Sequence, residues 1–338
     1  MLPIRSSRLM LRPMQVDDLH GFVAYRNDPA IARYQSWELP YTMDAATQLL
    51  ADATDLDRQV EGEGINLAIE LDGEMLGDAF AQIRPGGGVA EIGYTLAPEH
   101  HGRGYATEAA GALVDSLFEH TDVQRVEATL DPDNAASMRV LEAIGMEFEC
   151  IARGAFCLRG AWVDDLRYAM TKNDRAAWLT RPRTAPDHVE LVVIEPDIAH
   201  LFGRMRTHYS QQRFVSPMPL SFRDALFPEA VGGAPVVPWM RGVVADGERV
   251  GFVMCSDITE THTDPFLWRL LIDRMHQRRG IGERVVAAVI SHFHGRSPRL
   301  MTSYGQGPGS PEPFYRKLGF VPTGEIDDGE VVAAFSIR

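Results

Sequence analysis

The chain has 338 residues, enough for two domains, and its composition of 45% hydrophobic and 24% charged residues excludes a wholly disordered protein. A formal net charge of −14 argues against a nucleic-acid partner, whose phosphates require a basic surface. No apolar run reaches the length of a membrane helix, the first residues lack the apolar stretch of a secretory signal, and the three cysteines form no CxxC pair. We therefore expect a cytoplasmic protein with reduced cysteines and no membrane partner.

The excess negative charge lies entirely in the first half of the chain. Residues 1–180 contain 15 Lys and Arg against 29 Asp and Glu, whereas residues 181–338 contain 18 of each. Two interpretations stay open: the acidity serves solubility, or it forms a field that attracts a cationic substrate.

Along the chain, turn signals and apolar periodicity predict two similar series of strands and helices. The first series is expected to contain a strand at 8–12, a helix after Asp18, hairpin turns at Asp72-Gly73 and 86–88, a strand at 90–96, a helix at 105–120, a strand at 126–130 and a short helix that ends at Gly145. The second is expected to contain a strand at 189–194, a hairpin turn at Asp246-Gly247, a strand at 266–272, a helix at 281–292, a strand at 300–303 and a short helix that ends at Gly319. The final apolar stretch of each series predicts further strands.

The two series share three sequence motifs in the same order. The motifs pair residues 72–77 with 246–251, 101–106 with 277–282, and 141–146 with 315–320, at a nearly constant offset along the chain. Because a period of half the chain is too long for a solenoid repeat, each copy should form a whole domain. The segment between the copies contains prolines and charges without apolar periodicity, which predicts a linker. We therefore predict the α/β (α+β) class with two tandem domains, 1–174 and 189–338, joined by a linker at 175–188, each with a mixed, mostly antiparallel sheet flanked by helices.

Each copy has a glycine-rich turn between a strand and a helix, at residues 101–106 and 277–282. The first N–H groups of a helix have no partner within the helix, and the helix dipole attracts anions there. Glycines let a phosphate approach the backbone and arginines add positive charge; the residues concerned are Gly102, Gly104, Gly280, Gly282, Arg103, Arg278 and Arg279. The alternative is a tight connection in which glycine only avoids a clash, but the occurrence of the turn in both copies favours phosphate binding. Neither turn matches the NTPase P-loop or the Rossmann dinucleotide fingerprint.

The turns resemble the pyrophosphate-binding turn of the GNAT superfamily of N-acetyltransferases, Gln/Arg-x-x-Gly-x-Gly/Ala. The second copy matches fully through Gln277, Gly280 and Gly282, whereas the first copy has His101 in place of Gln or Arg. The first half also resembles the ribosomal-protein N-terminal acetyltransferases and the second half the spermine/spermidine acetyltransferases; the stretches concerned are 91–94, 102–109 and 134–142, and 238–239, 250–254, 268–273 and 314–320. The resemblance covers nearly the whole chain, so it implies an N-terminal and a C-terminal GNAT-like acetyltransferase domain.

The resemblance implies acetyl-CoA as the co-substrate. Its pyrophosphate would bind the glycine-rich turn, and its pantetheine arm would extend the sheet through backbone groups of the preceding strand. The residues that this assigns to cofactor binding are Leu96, His101, Gly102, Arg103, Gly104, Tyr105, Ala106, Asn134, Ile272, Gln277, Arg278, Arg279, Gly280, Ile281 and Gly282. The adjacent histidines 100 and 101 do not predict a metal site, because neighbouring residues on a turn seldom chelate one ion.

The family mechanism implies direct attack of an amine on the thioester, with a base for the amine and an acid for the departing thiolate. Tyr315 stands where the family carries its acid. The first copy has Leu141 at that position, so Ser137, one helical turn earlier, is its candidate. Asn134 and Ser137 could equally cap a helix, because Asn-x-x-Ser before an apolar run is also a cap pattern. Glu91, on the central strand, is the candidate base, with an exposed strand carboxylate as the alternative.

We therefore interpret the chain as a tandem N-acetyltransferase that uses acetyl-CoA. The acceptor is expected to be a small-molecule or peptide amine, such as a polyamine, an antibiotic, an amino acid or a protein N-terminus, and the two domains could pack as a pseudo-dimer. In the alternative interpretation one copy is a non-catalytic acyl-CoA-binding or scaffolding module. The first copy is the stronger candidate, because it lacks both the Gln/Arg of the turn and the tyrosine. A phosphate-ligand enzyme unrelated to CoA is the third interpretation.

Overall fold

The computed structural model describes residues 2–51, 62, 64–231 and 233–337. It divides the chain into two compact units, Met1–Thr180 and Arg181–Arg338, here the N-terminal unit and the C-terminal unit. Within the described residues, each unit has one large mixed sheet flanked by helices, which confirms the predicted fold class. In that same part of the chain, no helix combines the length and the apolar character needed to cross a bilayer.

The N-terminal unit contains a sheet with the spatial order β1-β2-β3-β4-β5-β6-β8-β7. Its strands are β1 (Ile4–Arg5), β2 (Met10–Pro13), β3 (Gly64–Leu71), β4 (Glu74–Ile83), β5 (Val89–Leu96), β6 (Arg125–Leu130), β7 (Glu147–Leu158) and β8 (Ala161–Thr171). Its helices are α1 (Leu19–Arg26), α2 (Pro29–Ala32), α3 (Met43–Ala51), α4 (Tyr105–His120), α5 (Ala135–Ile144) and α6 (Lys172–Thr180). Neighbouring strands are antiparallel except β5 and β6, which are parallel.

The C-terminal unit repeats this arrangement with the spatial order β16-β17-β15-β14-β13-β12-β9 and a separate two-stranded ribbon. Its strands are β9 (Val189–Val192), β10 (Ala230–Val231), β11 (Ala234–Pro235), β12 (Pro238–Ala245), β13 (Glu248–Ser256), β14 (Phe266–Ile272), β15 (Arg299–Tyr304), β16 (Val321–Asp327) and β17 (Glu330–Ser336). Its helices are α7 (Ala199–Phe202), α8 (Met218–Leu226), α9 (Ile281–Phe293) and α10 (Glu312–Lys317). Here β14 and β15 form the parallel pair.

The first repeated motif forms a hairpin turn in both units, as predicted. Asp72 and Gly73 have φ angles of 52° and 87°, and Asp246 and Gly247 have φ angles of 50° and 84°. Two successive residues at positive φ are typical of the type I′ turn, whose twist matches that of the flanking strands. The Asp-Gly sequence suits this turn because both residues tolerate the left-handed region.

The glycine that ends the same motif is required by the close approach of two strands. A Cβ atom at Gly77 would lie 2.1 Å from the carbonyl oxygen of Thr95, and one at Gly251 would lie 2.4 Å from that of Leu271. Both distances are far inside van der Waals contact. The repeat therefore preserves the spacing between β4 and β5 and between β13 and β14.

Residues 175–180 belong to a helix of the N-terminal unit, which corrects the start of the predicted linker at 175–188. In α6, Arg175 pairs with Asp115 at 2.6 Å, and the buried Trp178 donates from Nε1 to the carbonyl of Ala143 at 3.2 Å. These two side chains are one helical turn apart and hold α6 against the unit. Because Trp178 is the only apolar side chain that α6 buries, the helix shows no apolar periodicity, and its sequence resembles that of a linker.

Candidate active site

The parallel strands of each sheet separate after a short paired stretch. Among the described residues, β5 pairs with β6 at 89–91, and β14 pairs with β15 at Phe266 and Leu267. The strand ends beyond these points, 92–96 and 268–272, face a gap on that side. Their backbone N–H and C=O groups can pair with an extended ligand that enters the gap.

A cavity of about 420 Å³ lies at the gap of the N-terminal unit and reaches both faces of its sheet. Cross-strand partners share a face, as do residues two apart along a strand. Glu91, Thr129 and Asp165 consequently lie on one face. Tyr94 lies on the other face, where its hydroxyl is 2.9 Å from Oγ of Ser137 on α5. All of these residues line the cavity, so a molecule on one face can meet a molecule on the other within the gap.

Carboxylates dominate the charged lining of this cavity. They are Asp78, Glu91, Asp131, Asp164 and Asp165. Arg26 also lines the cavity, but it is buried and pairs with Asp78 across 3.5 Å. Part of the excess negative charge of the first half of the chain therefore lies on the wall of this cavity.

Asp165 was not predicted from the sequence, but its environment in the structure raises its pKa. Burial raises the pKa of Asp165 to about 6, and the neighbouring carboxylates of Glu91 and Asp131 also raise it, whereas Arg167 and a hydrogen bond with Thr129 oppose the shift. A carboxyl group with this pKa is ionised at neutral pH and is more basic than an ordinary aspartate. Its only signal in the sequence is an Asp-Asp pair in the last hairpin, which matches no motif.

Glu91 and Asn134 lie on the same cavity but have partners of their own. Glu91 accepts from Nη2 of Arg84 at 3.3 Å. Asn134 caps α5 by accepting from the backbone N–H of Ser137 at 3.1 Å, as the capping interpretation predicted. The Ser137 hydroxyl instead faces Tyr94, whose pKa is raised by burial.

The C-terminal unit has the corresponding cavity, of about 590 Å³. It is lined by strand β14, by the turn glycines Gly280 and Gly282, and by Tyr315. Ser303 and Glu330 also line it, and Ser303 Oγ donates to Glu330 Oε2 at 2.5 Å. The cavity thus joins a helix N-terminus to a tyrosine hydroxyl and a carboxylate.

Tyr315 is buried in this cavity wall with a protonated hydroxyl. Burial raises the pKa of Tyr315 to about 12, and a hydrogen bond with Thr302 partly opposes that shift. The ring stacks on Tyr304 with the centroids 5.9 Å apart. The hydroxyl therefore holds a proton at neutral pH and is fixed in position by aromatic packing.

Both glycine-rich turns adopt one backbone conformation. Gly102 and Gly104 have φ angles of 74° and 79°, and the corresponding Arg278 and Gly280 have 63° and 75°. A Cβ atom at Gly280 would meet nothing within 4 Å, so the space above this residue is open to a ligand. Neither α4 nor α9, both within the described residues, receives a hydrogen bond from the side chain of its N-cap residue, so the first N–H groups of both helices lack that partner.

The first side chain of each turn makes the same contact in both units. His101 Nε2 lies 2.9 Å from the carbonyl oxygen of Leu96, and Gln277 Nε2 donates to the carbonyl oxygen of Ile272 at 2.9 Å. The ring nitrogen of His101 thus replaces the amide of the family glutamine. The carbonyl oxygens of Leu96 and Ile272, two of the residues predicted to bind the cofactor, therefore each accept a hydrogen bond from the turn of their own unit.

Other predicted turn residues differ in where their side chains lie. Arg279 is buried, and it donates from Nε to the Thr184 carbonyl at 2.8 Å and contacts His276 at 3.0 Å, so its side chain points away from the open space. Tyr105 and Ile281 are core side chains and offer only backbone groups to a ligand. The remaining side chains are exposed or half-buried; these are Arg103, Ala106 and Arg278. In the N-terminal unit the cavity wall does not include residues 101–106.

Two family models match the chain, both described as acetyltransferase (GNAT) domains, at residues 8–147 and 239–322. A probable N-acetyltransferase of Bacillus subtilis, YjcK, is 32% identical over 180 residues, which are 51% of this chain and 98% of that protein. The uncharacterized N-acetyltransferase p20 of Bacillus licheniformis is 28% identical over 51% of this chain and 97% of its own length. The solved structure of Mycobacterium smegmatis RimJ in complex with CoA-disulfide aligns with 49% of this chain and 83% of that one, at 25% identity and a TM-score of 0.45.

Proposed function

The chain belongs to the GNAT family of acetyltransferases, and we propose that each of its two units transfers the acetyl group of acetyl-CoA to a primary amine. The observation that carries this proposal is the gap between the two parallel strands, which recurs in both units with a glycine-rich turn near it. A thioester drawn into the gap would be within reach from both faces of the sheet. Two substrates can then meet there without a covalent enzyme intermediate.

Acetyl-CoA, the acetyl donor, would bind on the side of each sheet where α4 or α9 begins. Its pyrophosphate would bind at the uncapped first turns of α4 and α9, where N–H groups and the helix dipole favour an anion. Its pantetheine arm would follow 92–95 of β5 or 268–271 of β14. Because the strand-end carbonyls are held by His101 and Gln277, the arm would pair with backbone groups nearer the middle of each strand.

Each unit offers a hydroxyl that could protonate the departing thiolate. In the C-terminal unit this is Tyr315, whose buried hydroxyl stays protonated at neutral pH. In the N-terminal unit it is Ser137, and the adjacent Tyr94 hydroxyl could return a proton to it across their hydrogen bond. Backbone N–H groups at the gap would stabilise the charge that develops on the thioester oxygen.

The acceptor of the N-terminal unit is proposed to be a cationic amine. The acceptor would bind on the face of the sheet that carries Glu91 and Asp165. The carboxylates there form a negative wall, which attracts an alkylammonium ion and orients it. The attraction should weaken with salt, because partly exposed charges are screened. The shared contact of His101 and Gln277 also favours a working turn in this unit over a scaffolding role.

Titration calorimetry and a thiol-release assay test the proposal together. Full-length protein should bind about two equivalents of acetyl-CoA, one at each helix N-terminus. It should also release free CoA when spermidine, tyramine or an alanyl tripeptide is added as the acceptor. Absence of CoA release with all three amines would contradict amine acetylation, whereas one equivalent of acetyl-CoA would leave a single donor site and favour the scaffolding alternative.

A further inference from the structure

One carboxylate recurs at the same place in both sheets, although no repeated motif contains it. In the N-terminal unit Leu130 pairs with Leu166, so Asp165 comes directly before the partner of the last residue of β6. In the C-terminal unit Tyr304 pairs with Val331, so Glu330 comes directly before the partner of the last residue of β15. Asp165 and Glu330 therefore occupy equivalent positions in the strand register.

Each of these carboxylates is bonded to an equivalent hydroxyl. Thr129 hydrogen-bonds Asp165, and Ser303 donates to Glu330 at 2.5 Å. Thr129 and Ser303 are separated along the chain by the same offset as the first repeated motif. All four residues line the cavity of their own unit. The duplication has thus kept a hydroxyl–carboxylate pair on the wall of each cavity.

The carboxylate lies on the opposite face of the gap from the proposed acid in both units. In the N-terminal unit Asp165 shares a face with Thr129, and the Tyr94–Ser137 pair is on the other face. In the C-terminal unit Glu330 shares a face with Ser303, whereas Tyr315 stacks on Tyr304, the next residue of β15. A base on one side and an acid on the other suit a reaction in which the amine attacks from one face of the sheet and the thiolate leaves toward the other.

Glu91 has no such counterpart. It pairs with Glu127 across the parallel strands, and the equivalent pair in the C-terminal unit is Phe266 with Met301. Met301 follows Glu127 at the same offset that separates Ser303 from Thr129, which makes the two pairs equivalent. A base that served both units could not be at the position of Glu91, because phenylalanine cannot accept a proton.

We propose that Asp165 and Glu330 are the general bases of their units. Each carboxylate accepts one proton from the ammonium group of the acceptor and leaves a neutral amine. The amine nitrogen then forms a bond to the thioester carbon, and the bond from that carbon to sulfur breaks. The thiolate takes its proton from the hydroxyl on the opposite face. The nitrogen of the new amide releases its second proton to water, and the hydroxyl regains a proton from water. This assignment rests on the proposed acetyl transfer and adds the residue that starts it.

The groups around Asp165 set the pH at which it can act. Glu91 and Asp131 face it as neighbouring carboxylates, Arg167 as a cation, and Thr129 as a hydrogen-bond donor. Burial is the largest influence, and it raises the pKa of Asp165 to about 6. Below this pH the carboxyl group is protonated and cannot accept a second proton, so turnover by the N-terminal unit should fall.

The variants Asp165→Asn, Glu330→Gln and their combination test the assignment in the full-length protein. The charge-removing controls are Glu119→Gln on α4 and Glu325→Gln on β16, both exposed and remote from the cavity linings. Each variant is assayed for CoA release with spermidine, and with 4-methoxyaniline, whose amino group is already neutral at pH 7.5. The second amine needs no base before it attacks.

We expect the double variant to lose about 100-fold or more in kcat/KM for spermidine, while its rate with 4-methoxyaniline stays within about threefold of the wild type. In the Glu330→Gln background, the inflection near pH 6 in the pH–rate profile should disappear when Asp165→Asn is added. Full spermidine activity in the double variant would overturn the assignment, and so would an equal loss with both amines, which indicates a structural role. A wild-type protein that acetylates none of the amines would instead contradict the proposed function itself.

Discussion

Removal of one hydroxyl, in Tyr315→Phe, separates catalysis from packing in the C-terminal unit. The ring of Tyr315 stacks on Tyr304 and makes edge contacts with Phe314 and Phe320 at centroid distances of 5.2 and 5.4 Å. Phenylalanine keeps these contacts and loses the hydrogen bond with Thr302. The substitution therefore creates no cavity and changes no charge at neutral pH.

Two magnitudes follow from this environment. Loss of one neutral hydrogen bond costs about 1 kcal/mol in the free energy of unfolding. Loss of a general acid costs about 100- to 10,000-fold in kcat, and we expect the low end because the CoA thiolate is a good leaving group. Acetyl-CoA affinity should hardly change, since the hydroxyl acts on the leaving group after binding.

Tyr304→Phe is the matched control for this experiment. Its ring belongs to the same stack, but its hydroxyl is buried without a hydrogen-bond partner among the described residues. Its removal should leave kcat unchanged and should not lower the free energy of unfolding. CoA release under saturating acetyl-CoA, measured in the Asp165→Asn background in which the N-terminal unit has lost its proposed base, gives kcat of the C-terminal unit. Urea unfolding measures stability.

Equal kcat values for Tyr315→Phe and Tyr304→Phe would refute the role of the Tyr315 hydroxyl as the general acid. Ser137→Ala identifies the alternative, because its hydroxyl is the proposed acid of the N-terminal unit. If Ser137→Ala abolishes turnover while Tyr315→Phe keeps it, the N-terminal unit is the active one. The C-terminal unit would then be the scaffold.

The other predictions concern the turns and Asp165. His101→Gln should keep the affinity of the N-terminal unit for acetyl-CoA, because glutamine restores the hydrogen bond to the strand end, whereas His101→Ala should lower that affinity about tenfold. Equal affinities of the two variants in calorimetry would contradict this role of His101. Gly280→Glu should remove one of two acetyl-CoA equivalents, whereas Gly295→Glu, which also has positive φ and open space but lies outside the cavity, should remove none. The folded-state pKa of Asp165, about 6, lies above the ordinary value of 3.8, so the folded chain binds more protons than the unfolded chain between these pH values and loses stability as pH rises through them. Asp165→Asn removes this loss of stability. After allowance for solvent screening, it should raise the free energy of unfolding by about 1 kcal/mol at pH 7.5 but not at pH 4. Identical thermal unfolding of the wild type and Asp165→Asn at pH 7.5 would disprove this prediction.

The sequence alone was sufficient for the duplication and for the position of each turn. Asp-Gly pairs, glycine-rich turns and the apolar spacing of the long helix are local signals, and helix α4 begins and ends at the predicted residues. Such signals depend on backbone conformations and on neighbours within a few residues. These signals can therefore be recognised in the sequence without knowledge of the tertiary structure.

Contacts between residues that are far apart in the sequence could not be predicted from these local signals. The inward turn of Arg279, the helix within the predicted linker, and the bond from His101 to the strand end each depend on a partner that a local pattern does not name.

Asp165 and Glu330 are equivalent residues that the sequence comparison could not match. Thr129 and Ser303 keep the offset of the repeat, but Asp165 and Glu330 are closer together along the chain than that offset. The reason is that the last hairpin is longer in the N-terminal unit, with strands of 12 and 11 residues against 7 and 7. A comparison at constant offset cannot match residues across that length change. Only the hydrogen-bond register of the folded sheets, which pairs the last strand with β6 or β15, brings each carboxylate to its hydroxyl.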